Sequence, residues 1–178
     1  MNATEVKVGL AKAEHLEGIV EIYNDAIAKT TATFDTQIKP ANEHQAWFDQ
    51  HDERYAILVA TPAAADDAAA DHPATDPVLA WGSLSRWSDR CGYDQTAEVS
   101  YYVAEEYRGL GLGRKMLTGL IEHARGQEMF TLIARMAGEN EASIRLATSL
   151  GFEPVGTLKK VGWKFGRRID VYIAQLLL

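Results

Sequence analysis

Residues 105–117 read EEYRGLGLGRKML. Three glycines at alternate positions follow Arg108, and an apolar-periodic run begins straight after them. Glycine lets main-chain N–H groups approach a ligand closely. The first turn of the following helix adds unpaired N–H groups and a partial positive charge. Together they make an anion site suited to phosphate. The dinucleotide fingerprint G-x-G-x-x-G does not fit, because Gly109 and Gly111 are followed by Arg114 at the third position. The G-K-[ST] ending of a nucleotide P-loop is missing as well.

The surroundings of the loop follow the same logic. TAEVSYYVA (96–104) alternates and is rich in Tyr and Val, which predicts a strand running into the glycines. Leu112, Met116, Leu117, Leu120, Ile121 and Ala124 fall at helical spacing, with Gly126 at the exit. MFTLIARM (129–136) reads as a strand and NEASIRLATSL (140–150) as a helix ending at Gly151. Two closing strands follow, FEPVGTLKKVG and IDVYIAQLLL, joined by a KFGRR turn. Upstream, residues 4–11 alternate as a first strand. Leu16, Ile19, Val20, Tyr23 and Ile27 mark a helix over 13–29, and a short helix is expected over 41–51. TTATFDTQIKP between these helices reads as a loop. YAILVA (55–60) and VLAWGSLS (78–85) are further strands. Residues 61–77 lack large apolar side chains and carry three prolines, so a mobile insertion is expected there. The order is strand, two helices, three strands, helix, strand, helix, two strands. That is a mixed α/β domain around one sheet, spanning 1–178.

The bulk composition narrows the function. The chain of 178 residues is 47% hydrophobic and 24% charged, which are globular values. A net charge of −7 argues against a general nucleic-acid binder. Residues 1–103 carry 7 Lys+Arg against 17 Asp+Glu, whereas residues 104–178 carry 11 against 8. The positive half holds the glycine loop, as an anionic ligand requires. Cys91 is the only cysteine, so neither an internal disulfide nor a cysteine-based metal site is expected. The five histidines show no metal spacing. No run approaches the ~18 apolar residues of a membrane span. A cytoplasmic location is the expectation.

The loop pattern R-x-x-G-x-G, formed by Arg108, Gly111 and Gly113, resembles the pyrophosphate loop of the GNAT superfamily of acetyltransferases. The later run from Asn140 to Leu150-Gly151-Phe152 is similar to the next motif of that family. Four further segments resemble the phosphinothricin and methionine sulfoximine N-acetyltransferases: 22–35, 86–103, ASIRL, and VGWKFGRRIDV (161–171). The likeness runs from about residue 5 to 176, interrupted only by 61–77. It implies a single GNAT-type α/β (α+β) domain, with a mostly antiparallel sheet of about seven strands flanked by helices. It also implies acetyl-CoA as acetyl donor, no metal, a small-molecule amine substrate and a homodimer. The donor would be held by Tyr101, Tyr102, Val103, Arg108, Gly109, Leu110, Gly111, Leu112, Gly113, Arg114 and Asn140. Asn140 is an equally good helix N-cap, and both roles are compatible.

The implied reaction moves an acetyl group from a thioester to the α-amino group of a small amino-acid analogue. The amine arrives protonated, and a carboxylate can take its proton directly or through water. Glu98 corresponds to the family's glutamate. Alternation puts Glu98, Ser100 and Tyr102 on one strand face and Val99, Tyr101 and Val103 on the other. A backbone N–H of Tyr102 or Val103 would stabilise the charge developing on the thioester oxygen. Phe34, Arg86, Arg90 and Tyr93 are the substrate-binding candidates, the arginines for a carboxylate or phosphinate.

Two positions depart from the family. Ala147 stands where a Tyr or His normally protonates the leaving thiolate, and Arg168 stands where Trp is usual. A tyrosine or water then serves, or the thiolate leaves unprotonated, or the chain binds coenzyme A without turnover. The alternatives are therefore acetylation of another amine, such as a protein N-terminus, or a non-catalytic coenzyme A-binding module.

Overall fold

The helix after the glycine loop shapes the molecule. The computed structural model describes residues 6–63 and 76–178. Helix α3 (Leu112–Gly126) buries all six residues of the predicted stripe. It lies across the middle of a seven-stranded sheet. Gly82 lets it close in, since a Cβ there would come 2.7 Å from both Leu120 Cδ1 and Ser100 O.

The strands are β1 (Val6–Leu10), β2 (Ile57–Pro62), β3 (Ala80–Arg86), β4 (Thr96–Val103), β5 (Thr131–Ala137), β6 (Glu153–Lys164) and β7 (Arg167–Leu177). Their spatial order is β1-β2-β3-β4-β5-β7-β6. Every neighbouring pair is antiparallel except β4–β5. The strand–helix–strand crossover through α3 makes that pair parallel. Thr61 and Pro62 pair with Lys7 and Val6, so the sheet claims the start of the segment read as an insertion. Residues 64–75 of that segment lie outside the described residues.

Helices α1 (Leu16–Lys29) and α2 (Ala41–Asp49) cover the opposite face of the sheet from α3. Ile19 and Ile22 of α1 pack there with Ile57, Val59 and Trp81. The larger cluster joins α3 to the alternate residues of β2, β3 and β4, including Leu58, Ala80, Leu84 and Val99. Helix α4 (Glu141–Ser149) packs beside α3, and Phe152, just beyond it, is fully buried.

The long β6–β7 hairpin turns at Phe165 and Gly166, both with positive φ (50° and 73°). A two-residue loop of this kind matches the twist of the flanking strands. The hairpin also holds the loop between α1 and α2. Gly162 lies flat against the Phe34 ring, where any Cβ would overlap it. Lys164, 2% exposed, donates its ammonium to the carbonyls of Thr33 (2.7 Å) and Ala26 (3.4 Å).

Burial lowers the Lys164 pKa below 10.5, opposed by the more distant Asp35. In the window between the lowered value and 10.5 the unfolded chain therefore binds more protons than the native one. Stability contributed at this site is at its lowest below that window and rises with pH through it. The stability difference between wild type and Lys164→Met should accordingly move in favour of wild type as pH climbs toward 10.5. Paired urea melts at several pH values measure it, and a pH-independent difference would contradict it.

Candidate active site

Strands β4 and β5 pair over only three residues, Thr96–Glu98 with Thr131–Ile133. Beyond that point β4 stays registered with β3 as far as Val103, and β5 stays with β7 as far as Ala137. The two strands part, and a cleft opens between them. The Gln95 carbonyl accepts from Thr131 N–H on the β5 side, whereas Ala104 N–H donates to Leu79 on the β3 side. Alternation between these points turns the main-chain groups of Val99, Tyr101 and Val103 toward the cleft. Those of Tyr102 face β3, where Trp81 is its partner. Of the two backbone donors considered from sequence, Val103 is therefore the one the fold presents to a ligand, and Tyr101 joins it.

The glycine loop follows Arg108, which lines this cleft. Gly109 and Gly111 have φ of 78° and 85°, the left-handed region that favours glycine. Gly111 is the N-cap of α3, and no side chain caps that helix. The first-turn N–H groups therefore remain available to a ligand. Gly113 brings α3 close to its neighbours, since a Cβ would lie 3.3 Å from Leu146 Cδ2 and 3.6 Å from Tyr101 Cε2. Arg108 donates to the Val103 carbonyl at 3.2 Å and lines the cleft. Arg114 is tied to Ser149 Oγ at 2.6 Å. Leu110 is exposed beside the loop, and Leu112 is core.

The cleft encloses about 540 Å³ between the Thr30–Ala32 segment, the end of β4 and the start of α4. A narrow inner part of about 50 Å³ reaches between β4 and β5 to Arg135 and Ala147. Asn140 borders both parts. Its side-chain oxygen accepts Ser143 N–H at 3.2 Å as the N-cap of α4, and its amide nitrogen still has donors to offer. A diphosphate on an extended arm fits these features, with anion-binding amides just beyond Arg108 and two β4 amides along the wall.

Glu98 stands where the strands separate, its side chain 18% exposed. Arg135 of β5 grips it with two bonds of 2.6 Å each. This two-pronged contact fixes the carboxylate plane and raises the Arg135 pKa further, by the bonds to Glu98 first. Arg135 was absent from the sequence-derived candidates. The signal was one charge in an otherwise apolar strand, at the position two beyond the register partner of Glu98.

The α1/α2 face of β3 and β4 carries three registered pairs, Trp81–Tyr102, Ser83–Ser100 and Ser85–Glu98. A pocket of about 150 Å³ lies over Trp81, Tyr102, Ser83, Ser100 and Ser85, closed by Tyr23, His44 and Trp47. Trp81 stacks on Tyr102 with centroids 4.8 Å apart. His44 Nε2 and Trp81 Nε1 are buried and have no partner among the described residues. The Tyr23 hydroxyl meets Thr33 Oγ1 and Asp35, each at 2.9 Å, and burial pushes its pKa up to about 12.

The remaining substrate candidates are placed elsewhere. Arg86 shares the α3 face with Leu84, pairs with Asp94 at 3.1 Å and lies over the Tyr55 ring at 4.8 Å, so it is turned away from Glu98. Arg90 and Tyr93 are exposed on the β3–β4 loop. Phe34 anchors the α1–α2 loop on Gly162.

Comparison with known proteins gives the family. Residues 8–153 match the acetyltransferase (GNAT) domain family. An L-methionine sulfoximine/L-methionine sulfone acetyltransferase of Pseudomonas paraeruginosa is 42% identical over 165 residues, 92% of this chain and 89% of its own. The L-amino acid N-acyltransferase MnaT of Escherichia coli is 32% identical over 97% of this chain and 94% of its own. A GNAT superfamily phosphinothricin acetyltransferase from Sinorhizobium meliloti, solved in complex with acetyl-CoA, superposes with a TM-score of 0.85 at 26% identity. That superposition covers 98% of this chain and 89% of the other. With a family match over residues 8–153 and a relative 42% identical across 92% of this chain, the chain belongs to the GNAT acetyltransferase family.

Proposed function

We propose that this enzyme acetylates the α-amino group of a small amino-acid analogue of the methionine sulfone, methionine sulfoximine or phosphinothricin type, using acetyl-CoA. The observation that carries the proposal is the cleft itself, which runs from Arg108, just before the glycine loop, to Arg135, the partner of Glu98. Bound acetyl-CoA supplies the acetyl group as an activated thioester. The α3 N-terminus and Arg108 hold its diphosphate. The Tyr101 and Val103 amides bind the arm and stabilise developing oxygen charge. Glu98, oriented by Arg135, accepts the proton that the amine must lose, directly or through water.

The adjoining pocket suits the rest of the substrate. The Trp81 indole N–H is a buried donor for an oxygen of a sulfone, sulfoximine or phosphinate, and the unpartnered His44 Nε2 stands in the same pocket. Arg90 and Tyr93, on the exposed loop, are assigned to the substrate's approach, and Phe34 to the loop that walls the cleft. We place the reaction in the cytoplasm, in keeping with acetyl-CoA as the donor. Among the described residues no helix is long and apolar enough to cross a membrane.

The edge strand β6 exposes Val155, Leu158, Val161 and Trp163. Such a row supports a second copy of the chain as its cover. Light scattering should give twice the 19.6 kDa chain mass.

Free-thiol release from acetyl-CoA should depend on the presence of methionine sulfone, methionine sulfoximine or phosphinothricin. Glu98→Gln should lower kcat by on the order of 10²–10⁴-fold. Tight coenzyme A binding without release from any amine would identify a non-catalytic binder instead. Gly111→Val forces a β-branched residue to φ 85° at the α3 N-cap. Calorimetry should show coenzyme A binding weakened roughly tenfold or more. Unchanged affinity in the folded variant would move the diphosphate elsewhere.

A further inference from the structure

We propose that Tyr101 supplies the proton taken up by the departing coenzyme A sulfur, the task that Ala147 is unable to perform. The assignment rests on the acetyl-transfer reading above and concerns the same cleft.

Ala147 is buried at the inner end of the cleft, one helical turn after Ser143 on the same side of α4. A methyl group there has no proton to give. Tyr101 lines both parts of the cleft, and its hydroxyl donates to Ser143 Oγ at 3.2 Å. Its ring comes from the opposite wall, β4, and its O–H ends against the α4 face that carries Ala147. Burial raises the Tyr101 pKa above 10, so the hydroxyl is protonated at neutral pH.

The other candidates are committed elsewhere. Tyr102 also borders both parts of the cleft, but its side chain lies on the opposite face of β4, stacked on Trp81. Tyr23 is bonded to Thr33 and Asp35. Cys91 is exposed on the β3–β4 loop. Ser143 is better placed to relay, because its hydroxyl both accepts and donates.

The step balances. The C–S bond breaks with both electrons on sulfur, and the new C–N bond takes its place. The ammonium loses two protons: one to Glu98 before attack, which Glu98 passes to solvent, and a second to Glu98 as the C–N bond forms. The Tyr101 O–H proton goes to sulfur, giving the free thiol, and the tyrosinate recovers a proton from solvent through Ser143. No oxidant or reductant is needed.

Tyr101→Phe keeps the ring and removes only the hydroxyl. It should lower kcat by on the order of a hundredfold while leaving acetyl-CoA affinity unchanged. A second readout is independent of turnover. Coenzyme A bound to each protein is titrated by the ultraviolet absorption of its thiolate. A hydroxyl donating to sulfur favours the thiolate, so the bound thiol should titrate at higher pH in Tyr101→Phe than in wild type. Adding Ala147→His to the variant should restore turnover, because an imidazole then stands on the same helix face. Unchanged kcat in Tyr101→Phe would overturn the assignment, as would an unchanged thiol titration. Failure of wild type to bind coenzyme A at all would instead sink the proposed function.

Discussion

The separation of β4 from β5 after Glu98 and Ile133 is the constraint on which the site depends. Each strand keeps its other neighbour, β3 or β7, so the sheet loses little by opening in the middle. What it gains is a cleft walled by main-chain groups, which a closed sheet would have consumed in its own ladder. Helices α3 and α4 begin beside this opening, and their N-termini give it an electropositive entrance.

The two faces of β4 then divide the chemistry. Residues with odd numbers, Tyr101 and Val103, turn side chains toward α3 and α4 and main-chain groups into the cleft. Residues with even numbers, Glu98, Ser100 and Tyr102, turn side chains toward α1 and α2, where the small pocket lies. A thioester donor and an amine acceptor can therefore meet at one strand from different directions. The α1–α2 loop closes the region from above. It is held by two features of β6, the bare Gly162 under Phe34 and the buried ammonium of Lys164. A buried charge without a carboxylate contact is costly, and here backbone carbonyls offset the cost. The structure of the cleft wall is thus coupled to the hairpin at the far edge of the sheet.

Much of the fold was legible in advance. The stripe of α3 and the alternation of β4 depend on local spacing alone, so periodicity found them. The same holds for the N-cap at Asn140 and the glycines at 109 and 111, whose demands are local backbone demands. Elements set by partners were harder. Thr61 and Pro62 look like linker residues, yet strand β1 recruits them. Arg86 looks like a substrate arginine, yet its position in β3 turns it onto the other face, to Asp94 and Tyr55.

The sequence by itself determined the element order and the glycine turn that opens α3, because each follows from neighbours within a few residues. Tertiary structure alone decided that β4 and β5 separate, that Arg135 clasps Glu98, and that Tyr101 reaches Ser143. Those contacts join residues 37 and 42 positions apart. They depend on sheet order and strand register, which no local pattern encodes.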